Sequence, residues 1–158
     1  MDPLLLENQL CFPLYACARK VTQVYTPILK PLGLTYTQYL VLLVLWEKDG
    51  VSVGHIGERL YLDTGTLTPL LKKMEKAGWL VRGRSEEDER RVFVHLTESG
   101  HTLREKALTI PIQVSTCTPL EGEEARCLYN ILYKILRYEP NEKGGSSNGS
   151  SCDHEGEF

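Results

Sequence analysis

No run of apolar residues in this chain approaches the roughly 18 needed to cross a bilayer. The nearest, TQYLVLLVLWEKDG, ends in charges, so a membrane role is excluded. The amino terminus lacks the basic flank of a signal peptide, which makes the cytoplasm the expected compartment. There is no Cys-x-x-Cys and no βαβ pattern, and both absences weigh against a thiol peroxidase or disulfide oxidoreductase. The four histidines are scattered without metal-ligand spacing, and Cys152, Asp153, His154 and Glu155 are only adjacent residues on a chain end. No metal, cofactor or enzymatic activity is expected.

A basic excess is missing too, with a net charge of −3. Its distribution matters more than its sum. Residues 139–158 hold five acids against Lys143 alone, which leaves 17 basic and 16 acidic residues in the body. From Pro140 the chain is rich in Gly, Ser and Asn and is expected to be a disordered tail. What remains has the length of one domain and is 42% hydrophobic over the whole chain, enough to bury a core.

Residues 63–97 are the most informative stretch. Leu67, Leu70, Leu71 and Met74 follow the i, i+3, i+4, i+7 pattern of a helix with one buried stripe. The opposite side carries Gly65, Pro69, Lys72 and Lys76, flanked by Thr66, Thr68 and Lys73, with no acid among them. Such a face suits phosphates and base edges. Gly78 is a natural helix stop, and WLVRGR and RVFVHL alternate as two strands around the loop SEEDER. A solvated helix followed by a surface hairpin has the same pattern. The order of elements separates the two, because a short helix from Ser52 to Leu60, capped by Ser52, lies just upstream across YLD, and Asp63 caps the next helix. Helix, tight turn, recognition helix and hairpin in succession make a winged helix-turn-helix, mainly α with a small β wing.

The flanks are helical. Residues 4–29 read as a long helix kinked at Pro13. Thr35 and Gln38 form a capping box for a very apolar helix through Glu47, Thr97 caps a helix over 98–114, and Thr118-Pro119-Leu120-Glu121 opens a last helix to about Tyr138. Leu128, Ile131, Leu132, Ile135 and Leu136 there, and Leu10, Phe12, Leu14, Val21, Val24 and Ile28 in the first helix, exceed what a monomer core needs. Both termini are therefore expected in a homodimer interface that sets two recognition helices about 34 Å apart on an inverted-repeat operator of double-stranded DNA.

These residues carry a resemblance. LENQLCFPLYACAR, GLTYTQYLVLLVLWE, LYLDTGTLTPLLKKMEKAG and RSEEDERRVFVHLTESG resemble the MarR regulators over residues 4–139, and within them the OhrR-like branch of organic-hydroperoxide sensors; Asp88, Arg90, Leu96 and Thr97 match the family's wing motif. The domain is thus expected at 1–139, with the DNA-binding part at about 51–97. The resemblance implies that Cys11 is the redox sensor and that Tyr25 and Tyr36 of the other subunit hydrogen-bond its sulfur. A thiolate attacks peroxide oxygen, and phenolic O–H groups are suitable donors to it. The sulfenic acid formed then needs a second thiol. Cys117 is the preferred resolving partner, with Cys127 or a low-molecular-weight thiol as alternatives. Without the family, Cys11 on an apolar helix face reads as a buried, inert thiol. Tyr15 is a possible third donor, Cys17 reads as structural, and Pro13 departs from the branch.

Expected groove contacts are Thr66, Thr68, Pro69, Lys72 and Lys73, with Arg84, Arg90 and Arg91 in the wing and Asp88 bracing Arg90. Pro69 conflicts with a cap at Asp63 unless the helix effectively starts nearer Thr66. The function implied is a cytoplasmic repressor released from its operator when organic hydroperoxide oxidises Cys11. The alternatives are a MarR regulator switched by a noncovalent phenolic ligand and, less in keeping with the pattern, a thiol peroxidase.

Overall fold

The chain does not begin with the long helix expected from residue 4. Leu6–Asn8 form a single 3-10 turn, the side-chain amides of Asn8 and Gln9 donate to the carbonyls of Asp2 and Pro3, and α1 runs over Cys11–Leu29. Pro13 is thereby the third residue of the helix. The N–H it lacks is one that the first turn leaves without an intrahelical acceptor anyway, so Pro13 is tolerated there and gives the helix no reason to kink.

The computed structural model describes residues 2–84, 91–115 and 119–138, without the side chain of Arg84. Asp88, Arg90, Cys117, Cys152 and the tail, together with the expected domain boundary after 139, lie outside the described residues. By internal contacts the chain divides into two units, Met1–Thr118 and Pro119–Phe158.

In the first unit α1 ends in a turn over Lys30–Leu32, closed by Gly33 at φ +71°, a conformation that glycine adopts without a Cβ penalty. The Thr35 hydroxyl then accepts the N–H of Gln38 while the Gln38 side chain accepts the N–H of Thr35, and this capping box launches α2, Tyr36–Glu47. Tyr39, Val41, Leu42, Val44 and Leu45 make α2 the buried centre of the fold. Ser52 accepts the N–H of His55 to open α3, Val53–Leu60. Asp63 does the same for Thr66 at the start of α4, Thr64–Lys76.

The wing has three strands rather than the two expected: β1 (Val51–Ser52), β2 (Leu80–Arg84) and β3 (Val92–Leu96), antiparallel in the order β1-β3-β2. Val51 pairs with Val94, and Leu80 with Leu96. The expected helix over 98–114 is broken into α5 (Glu98–Ala107) and α6 (Ile110–Ser115). Pro111 explains the break, since it offers no N–H to the Ala107 carbonyl, and Leu108 and Thr109 form the turn between the two helices. Leu42, Leu45, Ile56, Leu67, Leu71, Met74, Leu80 and Val94 are fully buried, so α2, α3, α4 and the sheet close one core.

In the second unit α7 spans Gly122–Leu136, later than the expected start at Pro119. The Glu121 N–H donates to the Glu124 carboxylate, and acids at 123 and 124 suit the positive end of the helix. Among the described residues no single helix is long and apolar enough to cross a membrane.

Candidate nucleic-acid interface and redox centre

The recognition helix presents the face that its sequence foretells. Leu67, Leu71 and Met74 are fully buried, whereas Gly65, Thr66, Pro69, Lys72, Lys73 and Lys76 are exposed and Thr68 is half-buried. The helix starts at Thr64, so its start does not shift toward Thr66 and Pro69 lies well inside. The carbonyl left without its usual donor is that of Gly65, on the solvent face, where water can satisfy it. Both threonine hydroxyls already donate locally: Thr66 to the Asp63 carboxylate at 2.7 Å, and Thr68 to the Thr64 carbonyl at 2.7 Å. Each therefore faces outward as a hydrogen-bond acceptor.

The Thr66 hydroxyl, followed by the Thr66 N–H, holds the Asp63 carboxyl below its ordinary range. A depressed folded-state pKa adds stability above the unfolded value, near 4, and that stability is lost as pH falls through the folded value. Asp63→Ala is expected to lower stability at pH 7 and to flatten the decline on acidification. Urea unfolding at pH 7 and pH 3 measures it; an unchanged acid limb would exclude Asp63 as a contributor.

Glu75, the single acid of α4, ties the helix to the wing. The Arg82 guanidinium reaches its carboxylate at 3.0 and 2.6 Å, and the Arg82 backbone N–H donates to it at 3.0 Å. Arg82 holds that carboxyl below its usual range. Arg82 is not among the expected wing cations Arg84, Arg90 and Arg91; the lone acid in a cationic stretch is the sequence signal for it. Arg91 is exposed. With Arg82, His55, Thr64 and Thr68 it lines a groove of about 570 Å³ between α3, α4 and the wing. The wing's root is fixed by Asp49, which accepts the Leu96 N–H at 2.9 Å, and by Thr97, whose hydroxyl donates to the Gly78 carbonyl at 2.6 Å.

Cys11 is exposed, as the first residue of α1, rather than buried on an apolar face. An oxidant can reach it. Cys17, expected to be structural, and Cys127 on α7 are exposed as well. Tyr15 is also exposed and accepts a hydrogen bond from Arg19 at 3.1 Å.

Tyr25 and Tyr36 are brought together, with ring centroids 4.7 Å apart. Burial pushes both phenols above their ordinary pKa, and Tyr25 pushes Tyr36 further, so both remain protonated donors at neutral pH. Two members of this cluster were not foreseen. Tyr39 lies 6.0 Å from Tyr25, and Trp46 meets Tyr39 edge-on at 6.3 Å. Tyr36, Tyr39 and Trp46 share one helical face, a spacing that was legible but reads as plain core. Tyr25 lies fourteen residues along α1 from Cys11, roughly 21 Å at 1.5 Å per residue. Within one chain these phenols do not serve that thiol.

Helix, turn, exposed recognition helix and three-stranded wing define a winged-helix DNA-binding regulator. Comparison with known proteins agrees. A family model described as transcriptional regulator SarA/Rot matches residues 23–107. The organic hydroperoxide resistance transcriptional regulator of Bacillus subtilis (strain 168) is 51% identical over 135 residues, 85% of this chain and 92% of that protein. The structure of reduced AbfR bound to DNA, a protein of Staphylococcus epidermidis, is 39% identical with a TM-score of 0.71, covering 84% of this chain and 91% of that one. Disulfide-formed AbfR matches with a TM-score of 0.61 at 39% identity, covering 84% and 93%. The chain belongs to the MarR/SarA-type family of winged-helix transcriptional regulators, which are DNA-binding proteins and not enzymes.

Proposed function

We propose that the chain is a dimeric, cytoplasmic repressor that senses organic hydroperoxides through Cys11 and releases an inverted-repeat operator when that thiol is oxidised. One observation carries the reading: an exposed thiol and a protonated phenol pair sit roughly a helix-length apart, so that two copies are needed to bring them together. Exposed Leu10 and Phe12 on one terminus and Leu128, Ile131 and Ile135 on the other are the kind of surface a second copy covers. The relatives support it, one by its name as a hydroperoxide resistance regulator and another by its reduced, DNA-bound and disulfide states.

The Cys11 thiolate sulfur attacks one oxygen of the hydroperoxide, the O–O bond breaks, and the displaced alkoxide takes a proton to leave as the alcohol. Sulfur is oxidised to a sulfenic acid while the peroxide is reduced. A second thiol then attacks that sulfur and water leaves, giving a disulfide. Cys127, Cys117 or a low-molecular-weight thiol fills this second role, and Tyr25 and Tyr36 of the other copy donate to the Cys11 sulfur.

We assign residues 1–139 to this function and 51–97 to DNA reading, with Thr66, Thr68, Pro69, Lys72 and Lys73 in the major groove and Arg84, Arg90 and Arg91 in the wing, Asp88 bracing Arg90. Lys72→Ala and Lys73→Ala are each expected to weaken binding to all duplexes alike and to reduce the slope of log K against log salt by about 0.9. Fluorescence anisotropy across a salt series measures this; a loss confined to one operator base pair would mark base readout instead.

The test of the function titrates operator-bound protein with an organic hydroperoxide and with hydrogen peroxide, following anisotropy and, by intact mass, the state of Cys11. Release in step with Cys11 oxidation is expected. An operator that stays bound while Cys11 is held in a disulfide would end the redox reading; a relative's overoxidised form is itself found on DNA, so protein carried on to sulfinic or sulfonic acid is scored separately by mass.

A further inference from the structure

The aromatic cluster does not stop at the phenols. Tyr36, Tyr25, Tyr39 and Trp46 form a continuous column, ring against ring at 4.7, 6.0 and 6.3 Å. Its far end is anchored, since the Trp46 indole N–H donates at 3.0 Å to the backbone carbonyl of Gly100, in the first turn of α5. That turn sits on both roots of the wing. A Cβ on Gly100 would lie 2.1 Å from the carbonyl oxygen of Trp79 and 3.0 Å from Leu96, so backbone rests on backbone with no slack. Trp79 immediately precedes β2, Leu96 ends β3, and the Thr97 N–H donates to that same Trp79 carbonyl at 3.1 Å.

We infer that Tyr39 and Trp46 are positioning residues that couple the Tyr25–Tyr36 phenol pair to the wing, Trp46 setting the place of α5 and, through it, of both wing strands. The inference rests on the redox reading above. The phenols fix one end of the column and the Gly100 carbonyl the other, and close-packed side chains shift between discrete arrangements rather than yielding by degrees. A change in what the phenols hold is therefore passed on as a change in where Trp46 lies. Trp79 moves with α5 because its backbone carbonyl abuts Gly100, and the Leu96 side chain packs beside the same contact. Tyr39 is 3% exposed, so it cannot swing out to absorb the displacement.

The experiment compares the parent protein with Trp46→Phe, which keeps an aromatic ring and removes the bond to Gly100, and with Tyr39→Leu, which interrupts the column. Three quantities are read for each: the rate of Cys11 oxidation by an organic hydroperoxide, operator affinity of the reduced form, and the ratio of oxidised to reduced dissociation constants. In Trp46→Phe the oxidation rate should stay within threefold of the parent while the ratio of oxidised to reduced dissociation constants falls at least tenfold. A merely structural role would weaken the reduced and oxidised forms alike and leave the ratio alone.

As a spectroscopic check that leaves the column intact, Trp79→Phe makes Trp46 the one tryptophan of the chain. Its emission should shift on oxidation. A ratio within twofold of the parent in both column variants, or Trp46 emission that ignores oxidation, would overturn the coupling while leaving the redox reading intact. A parent protein that keeps its operator when Cys11 is oxidised would remove both.

Discussion

Cys11→Ser protein is expected to bind its operator in the reduced state within about twofold of the parent and to keep it when organic hydroperoxide is added. Under the same treatment the parent should lose affinity by about 100-fold, equivalent to about 2.7 kcal/mol of coupling, within the usual span for switches between two sites. Serine has nearly the shape of cysteine and its hydroxyl accepts hydrogen bonds from the same phenols, so the substitution leaves neither a large cavity nor an unpaired donor in the dimer. It removes the nucleophile, because a neutral hydroxyl does not attack the O–O bond and forms no sulfenic acid or disulfide. Operator binding followed by anisotropy before and after the oxidant decides the matter. If Cys11→Ser protein dissociated as readily as the parent, Cys11 would not be the sensor, and intact mass would show whether exposed Cys17 or Cys127 had been oxidised instead.

Gly100→Ala should be the most damaging single methyl in the first unit. The added carbon would have to sit 2.1 Å from the Trp79 carbonyl oxygen, which belongs to backbone and cannot rotate away. Either α5 or the wing must therefore move, and overpacking of this kind costs about 3 kcal/mol or more. For a chain of this size that corresponds to a fall in melting temperature of roughly 10 °C. Gly83→Ala is the matched control. Among the described residues, chain neighbours aside, no atom lies within 4 Å of its would-be Cβ, so its stability should stay within about 1 kcal/mol of the parent. Thermal unfolding of both variants checks the pair, and equal losses would show that glycine content rather than the Trp79 contact matters. Where Gly100→Ala folds, its operator affinity should also fall, since the displaced backbone carries both roots of the wing.

The recognition helix shows what short-range chemistry can and cannot specify. Asp63 capping Thr66, Ser52 capping His55 and the Thr35–Gln38 box each act within three residues, and all are visible in the chain. The buried stripe of α4 follows from a period of 3.6, and Gly78, at φ +78°, ends it because a left-handed stop favours glycine. Pro13 and Pro111 needed more than periodicity. A proline is harmless in a first turn and disruptive further in, and only the actual helix start at Cys11 and the break before Ile110 tell which applies.

Other features depend on partners far along the chain. β1 is two residues long, too short for any alternation, and exists because Val51 meets Val94. Arg82 reads as one more wing cation, but Glu75, seven residues back on another element, takes two of its three guanidinium nitrogens. Trp46 reads as core until its indole is seen to reach Gly100, 54 residues away. Cys11 on an apolar stretch reads as a buried thiol, and its exposure follows from where α1 begins.

The sequence by itself determined the caps, the stripes, the stops and hence the order helix, turn, recognition helix and wing, because each rests on residues within a turn or two of one another. Only the tertiary structure decided which phenols share a cluster, which arginine is held by Glu75, and where Gly100 locks α5 onto the wing, because these contacts join elements whose separation along the chain carries no local pattern.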